Sequence, residues 1–220
     1  MAITMSWNVA AEKRFESGLD RGVLYVRDGA GAYPLGVPWE GLINVTEKPA
    51  GAEITDLWAN NAKYAQLVAA ETFDGSIEAY TFPDEFLECM GMLEHPTDPG
   101  AIMAQQARSA FALCYRTRLG NEAGGGQANY KVHIIYGAIA QPSEVARQTV
   151  NDSPEAATFT WEFKTTPAAA TGYEAISKIV LDEEVITPAT LATIESELYG
   201  DDVGPITANL PLPDDLFALL

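Results

Sequence analysis

The chain has 220 residues and a mass of 23.7 kDa, a length typical of one domain with extended segments. Hydrophobic residues make up 47% of it and charged residues 20%, an ordinary balance for a protein that buries a core, which argues against disorder of the whole chain. Thirteen Lys and Arg against 31 Asp and Glu give a net charge of −18. That balance argues against a protein that grips DNA or RNA through clustered cations, and against adhesion to an anionic membrane.

The chain shows no signal for a membrane or for secretion. Its apolar runs fall well short of the roughly 18 residues that span a bilayer. The first nine residues lack the basic region and long apolar region of a signal peptide. Cys89 and Cys114 form neither a CxxC pair nor a zinc-binding spacing. We therefore expect reduced thiols in a protein made in a cytoplasm.

The acidic residues are concentrated towards the C-terminus. From residue 148 onward, thirteen acids stand against two cations. A solvated surface that favours solubility is the simpler interpretation. The alternative is a surface that repels something anionic.

Short β-rich or alternating runs predominate along the chain. They predict strands in segments 22–27, 41–45, 75–82, 110–119, 130–140, 157–165 and 177–181. In the 157–165 run, Phe159, Trp161 and Phe163 share one face and are expected to pack against Phe111, Leu113 and Tyr115. A turn is predicted at 48–51, and segment 63–70 is ambiguous between strand and helix.

Two helices are predicted, over 83–90 and over 188–199. The second has Thr187 as N-cap, Pro188 at its first position and Gly200 after its end. The stripe formed by Leu191, Ile194 and Leu198 should cover part of the sheet. The proline-rich segment after residue 204 predicts no helix.

The sequence shows no arrangement of residues that predicts catalysis or metal binding. His95 precedes Pro96 in a turn, and His133 lies in a strand, where a structural role is the better interpretation. Neighbouring carboxylates such as Glu183 and Glu184 do not form an acid–base pair on one face. We predict no catalytic residue, no cofactor and no metal site, and therefore not an enzyme.

Several blocks, taken in order, resemble the major tail protein, or tail tube protein, of long-tailed, non-contractile bacteriophages (siphophages). The longest is AEITDLWANNAKYAQLVAAETFDGSIEAYTFPDEFLECMG at 52–91. The others are WEGLINVTE at 39–47, RSAFALCYRTRLG at 108–120, the strand at 130–140, the block at 157–167, and the ending LYGD followed by LPLPD. Together they span roughly residues 21–216, with no single diagnostic motif.

The resemblance implies a mainly β fold: a tail-tube-type β-sandwich or barrel flanked by an α-helix, with extended arms and loops. Residues 1–220 would form a single tail tube domain. Residues 1–18 would be an N-terminal arm, 19–200 the core with helix 188–199, and 201–220 a C-terminal arm.

The implied function is a structural protein of the virion, present in the host cytoplasm during assembly. It would form stacked hexameric rings, and so a hollow tube through which the genome passes without specific binding. Its partners would be other copies of itself, the tape-measure protein, the tail terminator and the distal tail or baseplate proteins. One alternative is the tube protein of a contractile tail or secretion system, since fold alone does not separate these uses. Another is a carbohydrate-binding β-sandwich with Trp39, Trp58 and Trp161 as a platform, although core aromatics explain these tryptophans more simply.

We place the contacts between subunits at two positions. One is the 56–64 stretch, with Trp58 and Tyr64 as apolar anchors. The other is the glycine-rich tip that contains Gly124, Gly125 and Gly126. Glu78 and Glu162 are expected to face an electronegative lumen.

Overall fold

The structure is a computed structural model, and it describes residues 7–9, 13–69, 71–98, 100–121, 129–145, 147, 149, 156–201 and 207–220. The strands are β1 Arg14–Val26, β2 Gly36–Pro38, β3 Leu42–Gly51, β4 Ile54–Ala59, β5 Ala62–Val68, β6 Glu71–Ala79, β7 Leu93–Glu94, β8 Ile102–Met103, β9 Phe111–Asn121, β10 Asn129–Ala140, β11 Phe159–Thr165 and β12 Lys178–Asp182. The helices are α1 Phe86–Met90, α2 Pro188–Tyr199 and α3 Pro213–Leu219. The prediction of a mainly β fold with a flanking helix is confirmed.

One large antiparallel sheet dominates the molecule, in the order β2-β1-β9-β10-β11-β6-β3. The first half of β10 also pairs with β12, and its last residues pair with β11. Gly137 lies at this change of partner with a φ of +63°. A Cβ there would lie 2.2 Å from the carbonyl oxygen of Thr166, so the close approach of backbone requires glycine.

The sheet bends around an inner core closed at one end by α1. Its buried residues are Leu24, Trp39, Ile77, Ala79, Phe86, Cys89, Phe111, Leu113, Tyr115, Ile135, Ala138, Ala140, Trp161 and Phe163. The expected grouping of Phe111, Leu113 and Tyr115 with Trp161 and Phe163 is confirmed, and Phe159 packs at its margin. Phe86 of α1 lies 4.6 Å from the ring of Trp39 and 5.2 Å from that of Trp161.

A second core lies on the opposite face of β1, β9 and β10, beneath α2 and α3. Leu191, Ile194 and Leu198 are buried there, so the predicted packing of α2 is confirmed. The predicted boundaries are confirmed too: the amide of Thr190 donates to the hydroxyl oxygen of Thr187 at 3.4 Å, and Gly200 forms the C-cap.

The two ends of the chain differ from the prediction. The expectation of no helix in the proline-rich C-terminal segment is wrong, because α3 forms there with Leu216 buried. Proline is compatible with the first position of a helix, where its missing N–H has no partner within the helix anyway, and Asp214 and Asp215 favour the first turn. At the N-terminus, residues 14–18 of the expected arm belong to β1, and residues 14–17 pair with β9.

The ambiguous segment 63–70 is mostly the strand β5. The turn expected at 48–51 is wrong, because β3 continues through it to Gly51. Pro49 lies in β3, an edge strand of the sheet, and edge strands are where proline, which lacks an N–H, is found in sheets. None of the described helices is long and apolar enough to cross a membrane.

Candidate assembly interface

A long two-stranded hairpin extends from one end of the sheet. Its root is the ladder between β3 and β6, which runs from the pair Leu42–Ala79 to the pair Gly51–Glu71. Beyond this point β4 and β5 pair with each other, from Ile54–Val68 to Ala59–Ala62. The amide of Ala69 donates to the carbonyl of Glu53 at 2.9 Å and connects the two ladders. We call residues 54–68 the outer hairpin.

The turn of the outer hairpin follows from its two asparagines. Asn60 and Asn61 have φ values of +52° and +59°. Tight hairpin turns that match the twist of the strands need positive φ at both central residues, and asparagine adopts it more readily than most residues. The turn therefore sets the register in which Ala59 faces Ala62.

The outer hairpin is almost entirely exposed. Every residue of β4 is exposed, and in β5 only Ala65 is half-buried. Trp58 is 68% exposed and Tyr64 is 76% exposed. Four more large apolar side chains are exposed here, namely Ile54, Leu57, Leu67 and Val68.

Both faces of the outer hairpin carry apolar side chains. The register places Ile54 beside Val68 on one face, whereas Leu57 and Leu67 lie on the other. An antiparallel sheet in a monomer usually buries one face and exposes polar residues on the other. An isolated two-stranded hairpin is marginally stable in water, so this apolar surface is typical of an interaction site.

A smaller apolar hairpin lies at the opposite end of the sheet. The β3–β6 ladder runs from the pair Gly51–Glu71, next to the outer hairpin, to the pair Leu42–Ala79 at its other end. After Ala79 the chain continues into α1 and then into the β7–β8 pair. Leu93, Ile102 and Met103 are exposed in β7 and β8, as is Tyr80 just after β6. The molecule thus has an exposed apolar hairpin at each end.

The sequence analysis found part of this surface. Trp58 and Tyr64 both lie on the outer hairpin, whereas Gly124, Gly125 and Gly126 fall outside the described residues. It missed Ile54, Leu57, Leu67 and Val68. The signal for them was the pair of short runs, rich in apolar and aromatic residues, on both sides of the Asn60–Asn61 dipeptide.

Glu78 and Glu162 lie on one polar outer face, formed by β3, β6 and β11. The register places Glu78 opposite Thr160 and Glu162 opposite Ser76. Lys48 approaches Glu162 at 3.6 Å, and Lys164 approaches Asp74 at 3.9 Å. This face therefore carries three acids and two lysines at these positions, a mixed rather than strongly acidic pattern.

The proposed tryptophan platform for sugars is wrong. Trp39 and Trp161 are each 3% exposed and lie 5.8 Å apart in the inner core. Only Trp58 of the three is exposed, because Trp39, just after β2, and Trp161, on β11, both pack into the inner core. Among the described residues, no group of three His, Cys, Asp or Glu side chains is arranged to hold a metal ion.

The fold and this surface define a β-sheet protein with a projecting apolar hairpin. No protein-family description matches the chain, and no curated protein matches it either.

Two solved cryo-EM structures of an extracellular contractile injection system show some similarity. A chain of the PVC sheath–tube complex in the extended state is 12% identical, with a TM-score of 0.36, over 74% of this chain and 88% of that one. A chain of the PVC sheath/tube terminator in the extended state is 10% identical, with a TM-score of 0.35, over 73% of this chain and 93% of that one. Similarity of this size establishes neither a family nor a function.

Proposed function

We propose that this protein is a structural subunit that assembles with copies of itself into a hollow tube of stacked hexameric rings. The observation that carries the proposal is the outer hairpin, which projects from the sheet with apolar side chains exposed on both faces. A second copy of the chain is the occupant we favour, because the same chain carries another exposed apolar hairpin at its opposite end.

Contact between two unlike ends of one chain is heterologous. Each contact leaves a free outer hairpin at one end of the stack and a free β7–β8 hairpin at the other, so the assembly grows without closing along its axis. This is the geometry that a tube requires.

The order of the sequence blocks favours one use of such a tube, the tail of a long-tailed, non-contractile phage. We infer that the tube conducts the genome without binding it specifically. Its partners would then be the tape-measure protein, the tail terminator and the distal tail or baseplate proteins. A tube of a contractile tail or secretion system is the runner-up.

We further infer that the polar outer face of β3, β6 and β11 lines the lumen, with Glu78 and Glu162 directed into it. The buried faces of these strands enclose the inner core, and the layer of α2 and α3 lies on the far side of the molecule. Asp74, Glu78 and Glu162 outnumber Lys48 and Lys164 on this face.

Electron microscopy of the purified protein tests the proposal. The unmodified chain should form rings or tubes, and the Trp58→Ser/Tyr64→Ser variant should remain as single folded particles. The matched control is Tyr173→Ser/Val185→Ser, which removes two similarly exposed apolar side chains from another surface. Equal assembly by both variants, or no assembly by the unmodified chain, contradicts the proposal.

Cysteine cross-linking tests the direction of stacking. Trp58→Cys and Ile102→Cys subunits are mixed and oxidised after assembly. Burial raises the pKa of the native Cys89 and Cys114 thiols to about 12, so they compete poorly. A disulfide that joins a Trp58→Cys copy to an Ile102→Cys copy supports head-to-tail contact, whereas its absence from intact tubes, or disulfides only between copies of the same variant, contradicts it.

A further inference from the structure

A partly buried polar cluster lies where β1 and β3, from opposite sides of the bent sheet, approach each other. The strands β1 and β3 lie side by side, close enough that a Cβ on Gly22 would lie 2.2 Å from Leu42. No backbone ladder joins β1 to β3 among the described residues, so side chains close this seam. The cluster consists of Glu16, Glu47, Tyr115, Thr117, His133 and Lys178.

His133 lies at the centre of the seam. It is on β10, 7% exposed, with its ring stacked on that of Tyr115 at 4.9 Å and an angle of 2°. Glu16 approaches it from β1 and Glu47 from β3. An open cleft of about 440 Å³ borders the cluster.

The hydrogen bonds determine where the proton lies on a neutral ring. The hydroxyl of Thr117 donates to Glu16 at 2.6 Å, so its oxygen is free to accept from His133 Nε2 at 2.8 Å. Glu16 Oε1 is also only 3.2 Å from Nε2 and, as a carboxylate oxygen, only accepts. The Nε2 atom therefore carries the hydrogen and Nδ1 carries a lone pair.

This arrangement leaves Nδ1 facing another acceptor. Its neighbour is Glu47 Oε1 at 3.8 Å, and Nδ1 has no hydrogen-bond partner among the described residues. If the ring takes up a second proton, Nδ1 becomes a donor. It can then form a charge-assisted hydrogen bond with the carboxylate of Glu47. The movement that closes the gap would act on Glu47, and Glu47 belongs to the root strand of the outer hairpin.

We propose that His133 is a proton-sensitive clamp on the root of the outer hairpin, so that its protonation draws Glu47, and with it β3, towards β10. This inference rests on the proposed function, since it assigns a regulation to the hairpin that carries the assembly surface. At neutral pH the Glu47 carboxylate is held by Tyr115 and Lys178, both of which donate to it.

The charged groups around the ring set the pH at which the clamp acts. Glu16 of β1 and Glu47 of β3 favour its protonated form, whereas Lys178 of β12 opposes it. Tyr115 and Thr117 of β9 are neutral, and Lys131 of β10 is paired with Glu16 at 3.3 Å. Burial, and then Lys178, lower the pKa of His133 overall. His133 should therefore take up its second proton in mildly acidic solution, at a pH below the ordinary pKa range of histidine.

Nuclear magnetic resonance of the free subunit tests the clamp independently of assembly. The chain has only two histidines, so the imidazole signals are assigned by the His95→Gln variant. The amide signal of Glu47 should shift at the same pH as the His133 ring, and this shift should disappear in His133→Gln. A Glu47 amide that does not follow the His133 ring overturns the proposal.

The assembly experiment then tests the consequence. Light scattering between about pH 7.5 and about pH 5 should show a change in assembly rate at the pH where His133 titrates. His133→Gln should abolish that step and His95→Gln should retain it, with circular dichroism confirming that each variant is folded. The same step in His133→Gln overturns the clamp, whereas absence of assembly at every pH contradicts only the proposed function.

Discussion

The hydroxyl of Tyr25, on β1, donates to the backbone carbonyl of Leu198, in the last turn of α2, at 2.5 Å. The last carbonyls of a helix lack partners within the helix, so this bond satisfies a buried acceptor that would otherwise have none. It also ties the sheet to the helical layer, since Tyr25 and Leu198 are both fully buried.

The substitution Tyr25→Phe should therefore destabilise the fold by about 1–3 kcal/mol, because it leaves a buried carbonyl unsatisfied and changes little else. Urea denaturation checks this, with Tyr173→Phe as the control on an exposed tyrosine. An equal loss in both variants would contradict the role of the hydrogen bond.

Packing of α2 should depend strongly on Ile194. This side chain is fully buried between α2 and the sheet, so Ile194→Ala should cost about 2–5 kcal/mol through lost contacts and the cavity left behind. The control Val185→Ala changes an exposed apolar residue and should alter the free energy of unfolding by less than about 0.5 kcal/mol. Thermal melts of the two variants give the comparison.

Residue 137, where β10 changes its pairing partner from β12 to β11, should tolerate only glycine. A Gly137→Ala side chain would meet the Thr166 backbone in a conformation that already disfavours side chains. We expect a large loss of stability or no folded protein. Gly29→Ala is the control, because a Cβ there meets nothing within 4 Å. A Gly137→Ala protein as stable as this control would show that the backbone shifts freely.

Asp20 should contribute to loss of stability in acid. Its carboxylate accepts from Arg116 at 2.7 Å and approaches Arg118 at 2.6 Å. The hydrogen bond from Arg116, followed by that from Arg118, lowers the pKa of Asp20 despite its partial burial. The stabilisation is therefore present above the ordinary aspartate pKa and is lost as pH falls through the lower folded value.

Denaturation midpoints from about pH 7 to about pH 3 measure this effect. Asp20→Asn should be less stable at neutral pH and should show a weaker dependence on acid than the parent. An unchanged acid dependence would show that Asp20 does not titrate differently in the folded and unfolded states.

The assembled protein should not retain DNA. With a net charge of −18 per chain, an assembly of this protein should repel a polymer that carries one charge per roughly 1.7 Å of axis. Screening limits this repulsion to about 8 Å at physiological salt, so it is felt mainly inside a narrow channel. A filter-binding assay at low salt checks the prediction. A structure of the tube should show more acid than base on its inner wall, and a net-positive lumen would contradict the idea.

Local patterns predicted local structure well. The boundaries of α2 are predictable because the residues that define them each act within one turn of the helix. These residues are the N-cap Thr187, Pro188 and the C-cap Gly200. The segment at 213 was misjudged because proline was taken as an obstacle, although the first helical position accepts it. The outer hairpin was only partly found, since Pro49 and Gly51 interrupt the pattern of β3.

The seam could not be predicted from sequence. Glu16, Glu47 and His133 are far apart in the chain and come together only because the sheet bends until β1 lies beside β3. The identity of His133 as a strand residue was evident, but its two carboxylate neighbours depend on long-range strand order, which no local pattern contains.

The root of the outer hairpin also determines how the molecule bears mechanical load. β6 is paired on both sides, with β3 and with β11, over most of its length. A pull along the hairpin acts parallel to these strands, so the hydrogen bonds of both ladders share the tension and must break together. A sideways pull would instead open the β3 edge one bond at a time. The subunit is therefore strongest along the axis of its hairpin and weakest across it.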